Sequence, residues 1–141
     1  RCRLVGSEMC IRDRLKIIVT ILITVITTSC VSIDNTKYEN GYYIAELNHS
    51  FDKVYQVTIN SIKAGITYDE NGHAYDLVEN SQTNDKATIT AINNKNPCDR
   101  LEIIIHRISK NITKIMIKYD SNGDSIRSSA LLNTLKEGLA V

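Results

Sequence analysis

Proline occurs once in these 141 residues, as Pro97, and glycine six times. Gly65, Gly72 and Gly123 are not part of any glycine-rich run, so no loop of the phosphate-cradling kind is present. The three histidines, His49, His73 and His106, sit at no metal-ligand spacing, and no metal is expected. No Ser-His-Asp, Cys-His or paired-carboxylate pattern has supporting context, so the chain does not read as an enzyme. Charge of one sign is also lacking, with a formal net charge of +1. A protein without a basic excess is not expected to bind nucleic acid.

Usable cysteine is scarcer than the count of four suggests. Cys2 and Cys10 fall in the opening "RCRLVGSEMCIRDR", which has no apolar periodicity. Residues 5–13, "VGSEMCIRD", resemble a sequencing-library adapter translated in frame. Residues 1–14 are therefore expected to be an adapter artefact and are set aside from the fold. The alternative is a genuine basic leader start carrying Arg12, Arg14 and Lys16.

Behind that stretch, Ile17–Ile26 reads "IIVTILITVI", ten residues without a charge. At about 1.5 Å per residue a helix of this length covers half of a ~30 Å hydrocarbon core. It suits the apolar region of a secretory signal better than a membrane span. Thr27, Thr28 and Ser29 follow, then Cys30. This resembles a bacterial lipobox, in which small side chains let the backbone enter a signal peptidase. The cysteine thiol there is the group alkylated by diacylglycerol. Thr27 departs from the usual leucine, and Ile26 supplies the bulky group one place early. Residues 15–29 are thus expected to be a lipoprotein signal peptide. Cys30 would carry a diacylglycerol and an acyl chain, with no other cofactor. A nearby secretory cut, an uncleaved anchor and a buried core element are the alternatives. Val31 is not aspartate, a pattern that resembles outer-membrane sorting, facing the periplasm, if the host has two membranes.

From Cys30 onward the chain has twelve Lys+Arg and fourteen Asp+Glu. About 110 residues make one domain with a modest core. Cys98 alone remains as a thiol, so no internal disulfide can form, and it reads as an ordinary loop cysteine. Residues 30–40 are polar and read as a tether. Tyr38, Tyr42 and Tyr43 cluster beside it and are expected to pack at a sheet edge, with contact to a membrane surface or a partner as the alternative.

The domain proper is expected over 41–141. Gly41–Leu47 alternates as a strand. Ser50 is placed as the N-cap of a helix with Phe51, Val54, Tyr55, Ile59 and Ile62 on one stripe, ended by Gly65. Asn71-Gly72, between two β-prone runs, predicts a hairpin. Lys86–Ile92, Arg100–Ile108 and Thr113–Tyr119 read as further strands. Asp124 caps a final helix with Ser128, Leu131, Leu132, Leu135 and Leu139 facing inward. The implied fold is α+β: a two-layer sandwich, an antiparallel sheet of four to six strands covered by two helices, in the order strand-helix-strands-helix. A signal-peptide helix would precede it.

"DSNGD" places Asp120, Asn122 and Asp124 as the first ligands of a calcium loop. Ser125 stands where glycine is required and Leu131 where the bidentate glutamate belongs, so the segment reads as a turn and cap. "SFDKVYQVTINSIKAG" and "TKIMIKYDSNGDSIRSSALLNTLKEGL", with Gly123, Asp124, Ser128, Leu131 and Leu132, resemble small uncharacterised bacterial lipoproteins with one domain of unknown function. The resemblance covers roughly 41–139, and Ile66–Asp85 is longer than that family's usual link. It is a resemblance of capping and packing, and it brings no activity. A non-catalytic binding or assembly module, held to the cell envelope by lipid, is expected. Its partners would be the membrane and another envelope protein. A small-ligand carrier or enzyme with a pocket between helices and sheet is the alternative.

Overall fold

The computed structural model describes residues 35–69 and 71–141. The expectations placed on residues 1–34, including Thr27, Thr28, Ser29, Cys30 and the signal helix, lie outside the described residues. A compact unit spans Asp34–Val141.

Two strands open it, β1 (Thr36–Glu39) and β2 (Tyr42–Leu47). Asn40 and Gly41 join them with φ of 54° and 81°. Both centres of a type I′ turn need positive φ, so an Asn-Gly pair closes this hairpin, and Glu39 pairs with Tyr42 directly across it. Helix α1 (Phe51–Lys63) follows, then β3 (Tyr75–Gln82), β4 (Lys86–Asn93), β5 (Arg100–Arg107), β6 (Thr113–Tyr119) and helix α2 (Ser125–Ala140). The fold is α+β, with a six-stranded sheet in the order β1-β2-β6-β5-β4-β3 and every neighbour antiparallel.

Two expectations need correction. The order has two strands before the first helix, because Thr36–Glu39, within the stretch assigned to a tether, forms the edge strand β1. All four of its residues are exposed, so no apolar alternation marked it. The predicted hairpin at Asn71-Gly72 does not form. Gly72 has φ of 73°, but no strand stands directly on its N-terminal side among the described residues. Asp69 instead organises a loop, accepting from the backbone N–H of Asn71 at 3.3 Å and of His73 at 2.9 Å. Strand β3 begins only at Tyr75.

Both helices pack on one face of the sheet. Along β6, Thr113, Ile115, Ile117 and Tyr119 point into that layer, while Lys114, Met116 and Lys118 are half-exposed on the other face. The inward stripes meet as one core: Phe51, Val54, Ile59 and Ile62 from α1, and Leu131, Leu132, Leu135 and Leu139 from α2, against Ile89, Ile103, Ile105, Ile115 and Ile117. Each fully buried Leu or Ile contributes about 1.5–3 kcal/mol. Leu131, Leu132, Ile103 and Ile117 are among the fully buried side chains between helices and sheet.

Alternation along antiparallel strands sorts the loops to two ends. One end collects the start of β1, the β3–β4 turn (83–85) and the β5–β6 turn (108–112). The other collects the Asn40-Gly41 hairpin, the loop before β3, the β4–β5 loop (94–99) and the start of α2. At this second end Gly123 meets the hairpin. A Cβ on Gly123 would lie 2.2 Å from the Gly41 carbonyl oxygen.

Candidate functional site

The same end gathers a largely buried polar cluster. Tyr75 begins β3, Asn93 ends β4, Asp99 precedes β5, Tyr119 ends β6 and Arg127 lies in the first turn of α2. The side chain of Asp99 is 9% exposed and that of Arg127 13%. Arg127 Nη1 donates to Asp99 Oδ1 at 3.1 Å and Nη2 to Oδ2 at 3.0 Å. That is the two-point geometry in which a guanidinium matches a carboxylate. Nη2 also donates to the Tyr75 hydroxyl, and Nε to the Tyr68 carbonyl. The Tyr75 hydroxyl and Asn93 Nδ2 donate to Asp99 Oδ2, the latter at 3.2 Å. The guanidinium lies 4.1 Å above the centre of the Tyr119 ring, which meets Tyr75 edge-on.

Electrostatics fixes these groups in single protonation states. Burial alone would raise the Asp99 carboxyl, but bonds from Arg127, Tyr75 and Asn93, with the charge of Arg127, hold it below the usual range. Burial opposes the Arg127 charge, and the bonds to Asp99 outweigh it, so Arg127 is held more firmly protonated than usual. Burial, then the bond to Asp99, raises the Tyr75 phenol well above its ordinary value, and burial does the same for Tyr119. None of the four is poised to exchange a proton near neutral pH. The cluster can clamp: it ties α2 to the loop before β3, to β3 itself and to the β4–β5 loop.

A polar cleft of about 300 Å³ lies over the cluster, with Asp69, His73, Lys95, Asp120 and Arg127 on its walls. His73 Nδ1 sits 2.7 Å from Asp69. The backbone N–H of His73 is the main influence lowering the Asp69 carboxyl. Among the described residues no group of three or more His, Cys, Asp or Glu could hold a metal ion.

The residues singled out in the sequence do not converge on this cleft as a set. Ser50 stands at the N-cap position of α1 at the opposite end, and its side chain makes no capping bond. Its carbonyl accepts from the Val54 N–H at 3.1 Å. Gly65 follows α1, where its N–H donates to Ile62 and that of Ile66 to Ser61. Asn71 lines the cleft, and Gly72 turns beside it. Asp124 caps α2, its Oδ1 accepting from the N–H of Ile126 and of Arg127, each at 3.0 Å. Cys98 is free and exposed in the β4–β5 loop. His106 projects from the uncovered face of β5, between Lys86 and Lys114.

Arg127, Asp99, Tyr75 and Tyr119 were not foreseen. Asp99 and Arg127 are 28 positions apart and Tyr75 and Arg127 are 52 apart, so no local spacing links them. The one available signal is an arginine directly before Ser128 on the inward stripe of α2.

Residues 14–138 match the family described as a protein of unknown function, DUF3568. The chain belongs to that family. The match to DUF3568 takes in the apolar run, Cys30 and almost all of the domain. No curated protein matches the chain.

Proposed function

We propose that this DUF3568 protein is a lipid-anchored component of the bacterial cell envelope, attached through Cys30, whose α+β domain is a non-catalytic binding or assembly module. The observation that carries the proposal is the position of the domain boundary. The compact unit starts at Asp34, four residues after the lipobox-like cysteine. Cleavage before Cys30 would release the whole domain and leave its new N-terminus free for acylation. The family match supports this, since it includes the apolar run ahead of Cys30 and starts directly behind the adapter-like residues 5–13. Several acyl chains, at about 0.8 kcal/mol per buried CH₂, make such an anchor effectively permanent.

The non-catalytic reading rests on the apolar side chains buried between helices and sheet, and on the locked state of the Arg127 cluster. A carrier or enzyme with a pocket between helices and sheet has less support, because Leu131, Leu132, Ile103 and Ile117 occupy that space. Val31 in place of aspartate supports an outer-membrane position facing the periplasm where the host has two membranes.

Labelling with an alkyne fatty acid in a bacterial host, followed by fractionation, tests the proposal. The expected result is label on the protein and recovery in the membrane pellet, both lost in Cys30→Ala. Unlabelled protein that partitions identically in both forms would overturn it.

A further inference from the structure

The reach of a Cys30 anchor is short. Six peptide steps separate it from Thr36, and an extended chain covers at most about 3.6 Å per residue, so roughly 20 Å. Thr36 is in register with Ala45, Ala45 with Ile115 and Ile115 with Ile105. The next rung toward the end of the sheet is Glu46, Lys114, His106 and Lys86, all on the face the helices leave uncovered. The chain therefore enters the sheet beside this row.

The row is unusual in its charge. Lys114 and Lys86 stand directly opposite His106 on its two neighbouring strands, and Glu46 stands opposite Lys114. The two lysines flank His106 from the strands on either side, so their positive charge is concentrated along one rung of the open face. Burial and then Lys86 and Lys114 hold the His106 imidazole below its usual range. Just beyond the row, the β5–β6 turn carries Ile108, 51% exposed, and an exposed Lys110. Asp52 and Asp85, at the same end, are paired with Arg107, which leaves Lys86, Lys110 and Lys114 beside the apolar tip. Such a tip, on a short leash from an acylated residue, has the composition of a surface that sits at lipid headgroups.

We infer that this end of the domain docks on an anionic bilayer, Ile108 entering the headgroup region while Lys86, Lys110 and Lys114 face lipid phosphates. The inference rests on the proposed anchor at Cys30, which sets the orientation. It turns the Arg127 cleft, at the opposite end of the sheet, away from the membrane and toward whatever the domain meets in the aqueous space.

The chain has no tryptophan, so an introduced one reports alone. The test places Ile108→Trp, or Ile126→Trp at the far end, in the full chain, with Ile126 itself 79% exposed. Each protein, with its lipid verified by intact mass, is reconstituted in phosphatidylglycerol vesicles bearing brominated acyl chains. Emission from I108W is expected to fall several-fold and that from I126W to hold. Joint K86Q, K110Q and K114Q substitution should restore most of the I108W signal. Unquenched I108W in a lipidated chain overturns the docking. A blue-shifted but unquenched I108W also overturns it, assigning the tip to a protein partner or second copy. Equal quenching of both probes, or quenching that survives the triple substitution, overturns it too. A chain found without lipid removes the anchor instead. In that case, added vesicles still decide whether I108W meets anionic lipid.

Discussion

Arg127 grips Asp99 at two points, 3.1 and 3.0 Å, across the open end of the sheet, with both side chains largely out of water. The ion pair joins α2 to the β4–β5 loop, and the further bonds of Arg127 add the stretch from Tyr68 to Tyr75. Removing one partner leaves the other buried and uncompensated, which costs about 3–5 kcal/mol. Arg127→Ala and Asp99→Ala should each lower stability by that order in urea unfolding. The double variant should lose less than the sum of the two.

The same pair sets an acid limit. The folded carboxyl of Asp99 is depressed below its ordinary 3.8. Its contribution is therefore present above that value and lost as pH falls through the folded pKa. Thermal unfolding should show wild-type stability dropping below about pH 4, whereas Asp99→Asn starts lower at neutral pH and falls less on acidification. Parallel acid limbs in the two proteins would exclude Asp99 as the source.

Gly123 has φ of 82°, and its Cα faces the backbone of Gly41. A methyl group there meets a carbonyl oxygen at 2.2 Å, and backbone cannot swing aside as a side chain would. Gly123→Ala should cost about 3 kcal/mol or more, combining φ strain with displacement of the hairpin. Chemical-denaturation midpoints measure this directly. A loss near zero would mean that the hairpin and the loop before α2 are not in contact.

The two helix starts predict opposite results from one substitution type. Asp124 accepts two backbone N–H groups, and Asp124→Ala should cost about 1 kcal/mol. Ser50 makes no such bond, and Ser50→Ala should fall within about 0.5 kcal/mol of wild type. Equal losses at both positions would contradict the capping geometry.

What the sequence revealed follows the range of the forces involved. The stripes of α1 and α2, and the alternation of β6 from Thr113 to Tyr119, are local patterns produced by burial on one face. The α+β architecture and the sheet with two helices were legible from them. Strand β1 was not, because "TKYE" is an exposed edge with nothing apolar to alternate. The chain has Asn-Gly at 40–41, 71–72 and 122–123, and only the first closes a hairpin. The choice among them depended on whether a paired strand stood on each side, which is a property of the sheet. The Arg127 cluster was illegible for a related reason: tertiary folding alone brings its members together.

Intact-mass measurement of the membrane-extracted protein, expressed with its leader in a bacterial host beside Cys30→Ala, tests the central claim most directly. The account predicts a mass equal to residues 30–141 plus a diacylglycerol and an acyl chain, with the lipid absent from the alanine form. An unmodified mass that retains the opening "RCRLVGSEMCIRDR" would contradict it.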